Sequence, residues 1–226
     1  MKRNQSGFTL IEIAIVLVII GLLLGGVMKG QELINSAKVK NLAADFKNTS
    51  LYIYSYQDKY KALPGDDALA ASHVTGATTA TTHALAGTLG DGRIDGKWDD
   101  YAIGSKGEES YLFWQHVRKA GIATGIEDVN DTTGYPPRNT LGGLIGVTNS
   151  VATKGLPIAG LPGSYIICSG NVQGKFAKQL DIMMDDGATS TGSMRVSAAV
   201  SGAGSIDQPV VADPQDDTLY TVCMGA

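Results

Sequence analysis

The sequence predicts an α+β protein in which a long N-terminal helix packs its second half against a small antiparallel sheet in a loop-rich head. Three observations carry this prediction. An unbroken apolar run lies near the N-terminus, and apolar residues at helical spacing follow it. Short β-rich segments then alternate with turn residues, consistent with the 29 glycines of the chain.

The apolar run extends from Phe8 to Met28, and its only polar residues are Thr9 and Glu12. At a rise of about 1.5 Å per residue, a helix of this length covers roughly 30 Å, the thickness of the hydrocarbon core of a bilayer. Lys2 and Arg3 precede the run, which predicts a cytoplasmic N-terminus. We therefore expect a membrane-spanning segment at residues 8–28.

Glu12 is out of place in this run, because a carboxylate in a membrane costs a few kcal/mol and usually indicates a function. A cut between Gly7 and Phe8 would create an α-amine at Phe8, four residues before Glu12. Positions i and i+4 share one face of a helix. The two charges could pair within one chain or between neighbouring helices.

Residues 29–63 continue the helix as an amphipathic segment. Spacings of three and four produce one stripe, apolar except at Thr49: Val39, Leu42, Phe46, Thr49, Ile53, Tyr56, Tyr60 and Leu63. Leu63-Pro64-Gly65 predicts the end of the helix. The stripe suits a coiled coil or packing on the chain's own head, residues 64–226, and the second interpretation is favoured.

The head is predicted to combine short elements with long loops. Residues 73–107 indicate a surface loop, and the predicted helices are 109–120 and 172–183. Four segments favour strands: 144–147, 164–168, 195–200 and 219–224. These strands are expected to form the antiparallel sheet.

Charge and motifs exclude several function classes. The net charge of −4 gives no general attraction to nucleic acid phosphates. The three histidines are scattered, and the sequence contains no HExxH, Cys-x-x-Cys, P-loop or Gly-x-Ser-x-Gly motif. We therefore predict neither a zinc site nor an enzyme.

Calcium is the one candidate cofactor that the composition indicates. Seven aspartates follow Gln179, with Arg195 as the only cation, and calcium prefers oxygen ligands. The candidate ligands are Asp185, Asp186, Asp213, Asp216 and Asp217. Solvated acidic loops are the competing and favoured interpretation. The same holds for residues 91–96, which match a calcium-binding loop only in part because Arg93 replaces an acid.

Gly7-Phe8-Thr9-Leu10-Ile11-Glu12 after a short basic leader resembles the type III signal of type IV prepilins and type II secretion pseudopilins. The resemblance implies that a prepilin peptidase cuts after Gly7, removes residues 1–7 and methylates the new amine of Phe8. It also implies that Glu12 docks one subunit against another during filament assembly. The other implied partners are copies of the chain, other pilins or pseudopilins, and an inner-membrane assembly platform.

The resemblance has structural implications too. Gly21, Gly25, Gly26 and Gly30 have spacings that allow close helix packing in lipid, and in pilin filaments the corresponding region can lose helical structure. Pilins commonly tie their C-terminal region with a disulfide, which would here join Cys168 and Cys223; two buried thiols are the alternative. The implied location is the inner membrane with a periplasmic head, and after assembly a filament in the periplasm or on the cell surface.

The expected function is therefore a structural subunit of a type IV pilus or of a type II secretion pseudopilus. The competing hypothesis is a membrane-anchored periplasmic binding or enzymatic domain with an uncleaved signal anchor. It predicts no cleavage between Gly7 and Phe8 and no self-assembly.

Overall fold

The computed structural model describes residues 9–81, 88–99, 101, 106–131, 133–150, 158, 160–199 and 208–226. Its helices are α1 (Leu10–Tyr60), α2 (Ala70–His73), α3 (Glu109–Lys119) and α4 (Gly174–Met184), and its strands are β1 (Ile145–Asn149), β2 (Tyr165–Gln173), β3 (Met194–Ala198) and β4 (Leu219–Gly225). These elements confirm the α+β prediction. The chain divides into two compact units, one up to Lys38 and one from Val39 onward, a boundary inside the predicted segment 29–63.

Helix α1 ends at Tyr60, three residues before the predicted end. Lys61 has a positive φ of 56°, and its amide donates to the carbonyl of Gln57 at 2.8 Å. A left-handed residue directly after the last helical turn is a common helix terminator. The helix thus ends at the turn of Lys61, before it reaches Leu63, where Pro64 would disfavour helical geometry.

The predicted stripe on the second half of α1 is buried in the head. Val39, Leu42, Phe46, Thr49, Ile53 and Tyr56 are all at most 2% exposed. Their apolar members share one hydrophobic core with Phe113 of α3, Phe176 of α4 and Val222 of β4. The stripe therefore packs on the chain's own domain, as the favoured interpretation predicted.

The four strands form one antiparallel sheet in the order β1-β2-β4-β3. The C-terminal strand β4 thus lies between two strands that precede it in the chain. Helix α3 contacts β1, and α4 contacts the other three strands. This arrangement places the core between the sheet and its helices.

The segment predicted as a surface loop, residues 73–107, is buried in part. Ile94 and Asp95 are fully buried and Trp98 is 4% exposed, whereas residues 91–93 are exposed. The acidic turn at 91–96 is therefore solvated only in its first half. The Thr148 hydroxyl donates to the Gly96 carbonyl at 2.7 Å. A Cβ built on Gly146 would lie 1.8 Å from the Trp98 carbonyl oxygen. The segment crosses β1 closely enough to require glycine there.

Candidate functional site

The start of α1 is closed by reciprocal hydrogen bonds between Thr9 and Glu12. The Thr9 amide and hydroxyl both donate to Glu12 Oε2, at 2.8 Å and 2.7 Å, and the Glu12 amide donates to Thr9 Oγ1 at 3.3 Å. This is a capping box, which satisfies two amides that the first turn of a helix leaves without partners. The expectation for Glu12 from the sequence concerned only its charge. The Thr-x-x-Glu spacing was the signal that would have revealed the box.

The capping box leaves Glu12 able to accept a further donor. Both bonds from Thr9 fall on Oε2, the residue is exposed, and a carboxylate has about four acceptor positions. Gly7 and Phe8, the predicted processing residues, lie outside the described residues. The pairing of Glu12 with an amine at Phe8 therefore stays a prediction.

The apolar residues of α1 from Leu10 to Met28 are exposed. The large side chains range from 45% exposure at Ile20 to 89% at Leu10. By length and composition this helix can cross a membrane. A continuous apolar surface of this size marks contact with lipid or with another protein.

The four glycines of the predicted packing surface all lie in α1. A Cβ built on Gly21, Gly25, Gly26 or Gly30 would meet nothing within 4 Å in the described part of the chain. No described contact within this chain therefore requires glycine at these positions. Their role in helix packing stays a prediction about lipid or a second chain.

Three of the five candidate calcium ligands face lysines at the N-terminal end of α4. The Nζ atom of Lys178 lies 2.7 Å from Asp216 Oδ1 and 3.9 Å from Asp213 Oδ1, and that of Lys175 lies 3.3 Å from Asp217 Oδ1. The hydrogen bond from Lys178 lowers the pKa of Asp216. Lysine side chains thus supply the counter-charge here, and these exposed pairs contribute little stability.

The other two candidates, Asp185 and Asp186, lie where α4 leads into the turn before β3. One oxygen from each lies within 4.8 Å of the other and of an oxygen of Asp181, which the candidate set omitted. The structure thus brings together two of the five candidates and adds a sixth aspartate. Asp181 lies in the predicted helix 172–183, and Asp185 follows at the i+4 position just after it, a spacing that places both on one face of a helix.

A buried polar network holds the loop after α1. Asp67 Oδ2 accepts a hydrogen bond from the Tyr56 hydroxyl at 2.8 Å and lies 2.7 Å from His73 Nδ1. Burial raises the pKa of Asp67, but the hydrogen bonds from His73, Tyr56 and the Leu69 amide outweigh it and lower that pKa. Asp67 is hydrogen-bonded to both Tyr56 and His73, which supports a structural role for this network.

Cys168 of β2 and Cys223 of β4 form a disulfide. They are direct partners in the register of the two strands, with Cα atoms 4.1 Å apart, and both are fully buried. The expected bond is present, and neither cysteine is left as a thiol.

A family model of the prokaryotic N-terminal methylation motif matches residues 2–28. Residues 2–28 therefore carry a prepilin-type signal like that of type IV pilins and pseudopilins, as the sequence indicated. The match ends at the end of the apolar run and does not extend to the head. No curated protein and no solved structure has detectable similarity to the chain.

Proposed function

We propose that the protein is a structural subunit of a type IV pilus or of a type II secretion pseudopilus. Prepilin peptidase cuts it after Gly7, residues 8–28 hold it in the inner membrane, and its head lies in the periplasm. The assembly platform then transfers it into a helical filament, where residues 8–28 form the core.

The observation that carries this proposal is the exposed apolar surface directly after the processing signal. This surface fits two dry environments, lipid before assembly and the helices of other subunits afterwards. Because apolar area stays buried during the transfer, the change in hydrophobic free energy is small. A specific polar contact can then decide when and where a subunit docks.

Glu12 is the residue suited to that contact. In the membrane its carboxylate is held by Thr9, and in the filament it accepts the Phe8 amine of a neighbouring subunit. A charge-assisted hydrogen bond in an apolar interior is stronger than its counterpart in water. The pairing therefore favours one register between subunits.

The first test is the N-terminus of the protein purified from membranes. We expect mass spectrometry to find a chain that begins at methylated Phe8, and Gly7→Leu to keep the higher-mass precursor. A native chain that begins at Met1 would instead support the uncleaved anchor with a binding or enzymatic head.

The second test compares Glu12→Val with the matched control Glu32→Val, since Glu32 is an exposed glutamate of the same helix that pairs with Lys29. Both variants should be processed and remain in the membrane. Filament yield should fall by about tenfold or more for Glu12→Val alone, the change expected for a loss of ~1.4 kcal/mol per contact. Equal yields from the two variants would contradict the docking role. Filaments on the cell surface would indicate a pilus, and filaments confined to the periplasm a pseudopilus.

A further inference from the structure

We propose that residues 94–98 form a cover over the Cys168–Cys223 disulfide, and that this disulfide is introduced before the cover docks. The reaction that introduces it is a thiol–disulfide exchange with a disulfide-bearing oxidant, and it acts on a head in which one face of the sheet is still open. The docked cover then protects the finished bond from thiols. The cover lies in the head and does not depend on the proposed filament function.

The disulfide lies on the face of the sheet opposite to the helices. Successive side chains of a strand point to opposite faces. Ile167 and Val222, each next to a cysteine in its strand, belong to the main core with the helices, whereas Cys168 and Cys223 belong to a second, smaller cluster. The buried members of that cluster from outside the strands are Trp98, Ile158 and Leu161. Segments outside the sheet therefore bury the disulfide.

The cover crosses the sheet directly beside one of the two cysteines. Gly146 of β1 is the direct partner of Cys168, and directly paired residues of antiparallel strands place their side chains on the same face. A Cβ built on Gly146 would lie 1.8 Å from the carbonyl oxygen of Trp98, and one built on Gly170 would lie 3.3 Å from the edge of its ring. Trp98 thus occupies the space that a side chain at position 146 would fill, next to Cys168.

Hydrogen bonds from β1 and α3 hold the cover in place. The Thr148 hydroxyl of β1 donates to the Gly96 carbonyl at 2.7 Å. The Ser110 hydroxyl of α3 donates to the Lys97 carbonyl at 3.1 Å. These bonds are separate from the ladder that joins β2 to β4, so the cover can detach while the two cysteine-bearing strands stay paired.

The closed cover contains one unfavourable feature, the indole N–H group of Trp98. The residue is 4% exposed, and its Nε1 atom has no acceptor among the described residues. A buried donor in this state has lost its hydrogen bond to water without a replacement. Opening of the cover restores that bond, so we expect the cover to open at a lower free energy than the whole head unfolds.

The exchange reaction requires access to both cysteines. The thiolate of one cysteine attacks a sulfur of the oxidant's disulfide, which forms a mixed disulfide and releases one oxidant thiolate. The thiolate of the other cysteine then attacks the first cysteine's sulfur, which forms the Cys168–Cys223 bond and releases the second oxidant thiolate. The cysteines lose two protons to water and two electrons to the oxidant. Because both cysteines are 0% exposed beneath the cover, an oxidant reaches them only while the cover is open.

The first test measures how fast dithiothreitol reduces the oxidised full-length protein in detergent, by alkylation of the freed thiols and mass spectrometry. Reduction requires the same access as oxidation. We expect Trp98→Ala to be reduced about tenfold faster or more than the wild type, because the closed cover loses its largest side chain. Thr148→Val, which leaves the Gly96 carbonyl without this donor, should be reduced roughly three- to tenfold faster, and it provides the second variant should Trp98→Ala fail to fold.

Phe46→Ala is the matched control, because Phe46 lies in the main core on the other side of the sheet and its truncation destabilises the whole head. Since the cover opens without global unfolding, Phe46→Ala should be reduced at about the wild-type rate. Reduction of Phe46→Ala as fast as that of Trp98→Ala, or faster, would mean that access requires global unfolding and would overturn the cover. Wild-type rates in both Trp98→Ala and Thr148→Val would overturn it too.

The second test addresses the order of oxidation and docking in the reduced, unfolded protein. Glutathione disulfide present from the start of refolding should form the bond rapidly. Added after refolding, it should form the bond only at the slow rate of cover opening, which Trp98→Ala increases. Equal rates of oxidation before and after refolding would contradict the proposed order. None of these results would affect the proposed filament function.

Discussion

His116 is buried where the loop after α1 meets α3. Its Nδ1 atom accepts a hydrogen bond from the Gly65 amide at 2.9 Å, so the ring proton is on Nε2, which donates to the Thr78 carbonyl at 2.8 Å. Burial lowers the pKa of His116 below 6.5, despite opposing effects of the Thr78 hydrogen bond and the Asp67 charge. Protonation would place a hydrogen on Nδ1. The N–H groups of Nδ1 and Gly65 would then face each other as two donors without an acceptor.

This geometry predicts an acid-sensitive contribution to stability. The folded chain binds the His116 proton less tightly than the unfolded chain, so the free energy of unfolding rises with pH between the two pKa values. The contribution is complete above about pH 6.5 and is lost as the pH falls toward the folded pKa. We expect stability to fall more steeply from about pH 7.5 to about pH 5 in the wild type than in His116→Gln.

Urea denaturation across this pH range checks the prediction. Burial raises the pKa of Asp45 and of Asp181 to about 6. Their contribution to stability has the opposite pH dependence, because it is more favourable at low pH than at high pH. The wild type and His116→Gln both retain these two aspartates, so the effect of the aspartates cancels in the difference between the two stability profiles. Parallel profiles would show that His116 is not the source of acid sensitivity.

Single polar residues differ in how far the sequence reveals their partners. Thr9 and Glu12 are three residues apart in a helical segment, so the capping box was readable from spacing alone. His116 and Gly65 are separated by 51 residues, and no local pattern links them. Asp95 and Asn149 likewise meet across 54 residues, so no local pattern predicts the burial of the second half of the turn at 91–96.

The second half of α1 is held in the head by its buried stripe. Phe46 is 1% exposed within the main core, whereas Leu51, five residues later in the same helix, is 58% exposed. Truncating a buried phenylalanine removes its burial and leaves a cavity. Phe46→Ala should therefore lower the free energy of unfolding by about 3–5 kcal/mol, and Leu51→Ala by less than about 0.5 kcal/mol.

Denaturant unfolding of both variants in detergent measures this difference. Similar losses for the two variants would mean that the exposed face of α1 is packed against something else, and the assignment of the stripe to the head's core would fail.

Elements with a strong internal pattern were predictable, and elements that depend on a neighbour were less so. The spacing of α1 and α3 predicted both helices to within a few residues. Strand β2 was predicted only at 164–168 because the following Ser-Gly-Asn is typical of a turn. In the structure β2 continues to Gln173, with an irregularity between Ser169 and Val172 and a positive φ at Asn171. Pairing with β4 is what keeps this stretch in the sheet.

The C-terminal strand is one of the two central strands of the sheet in the head. Strand β4 pairs with both β2 and β3, and the carbonyl of Ala226 accepts hydrogen bonds from the amides of Ser164 and Tyr165 at 2.8 Å and 3.2 Å. Strand segments were readable from the sequence, but their order was not. Nothing in the local composition of residues 219–225 indicates that they occupy the middle of the sheet.

The Cys168–Cys223 disulfide links the C-terminal strand to its neighbour in the sheet. It joins β2 to β4 across a sequence separation of 55, so it restricts the unfolded chain by closing a long loop. In the chain-entropy model this stabilises the fold by about 4 kcal/mol. Replacing both cysteines with alanine should therefore reduce the free energy of unfolding by roughly 2–5 kcal/mol, measured by denaturant unfolding of the oxidised protein and of the double variant.

The folding and unfolding rates show at which stage of folding the disulfide stabilises the protein. A crosslink that acts on the unfolded state speeds the pairing of β2 with β4, so most of the loss should appear as slower refolding of the double variant. Reductant should slow the wild type to the same rate and leave the double variant unchanged. A loss that appears mainly as faster unfolding would instead mean that β2 and β4 pair after the rate-limiting step, and that the closing of the sheet by the C-terminal strand is a late event in folding.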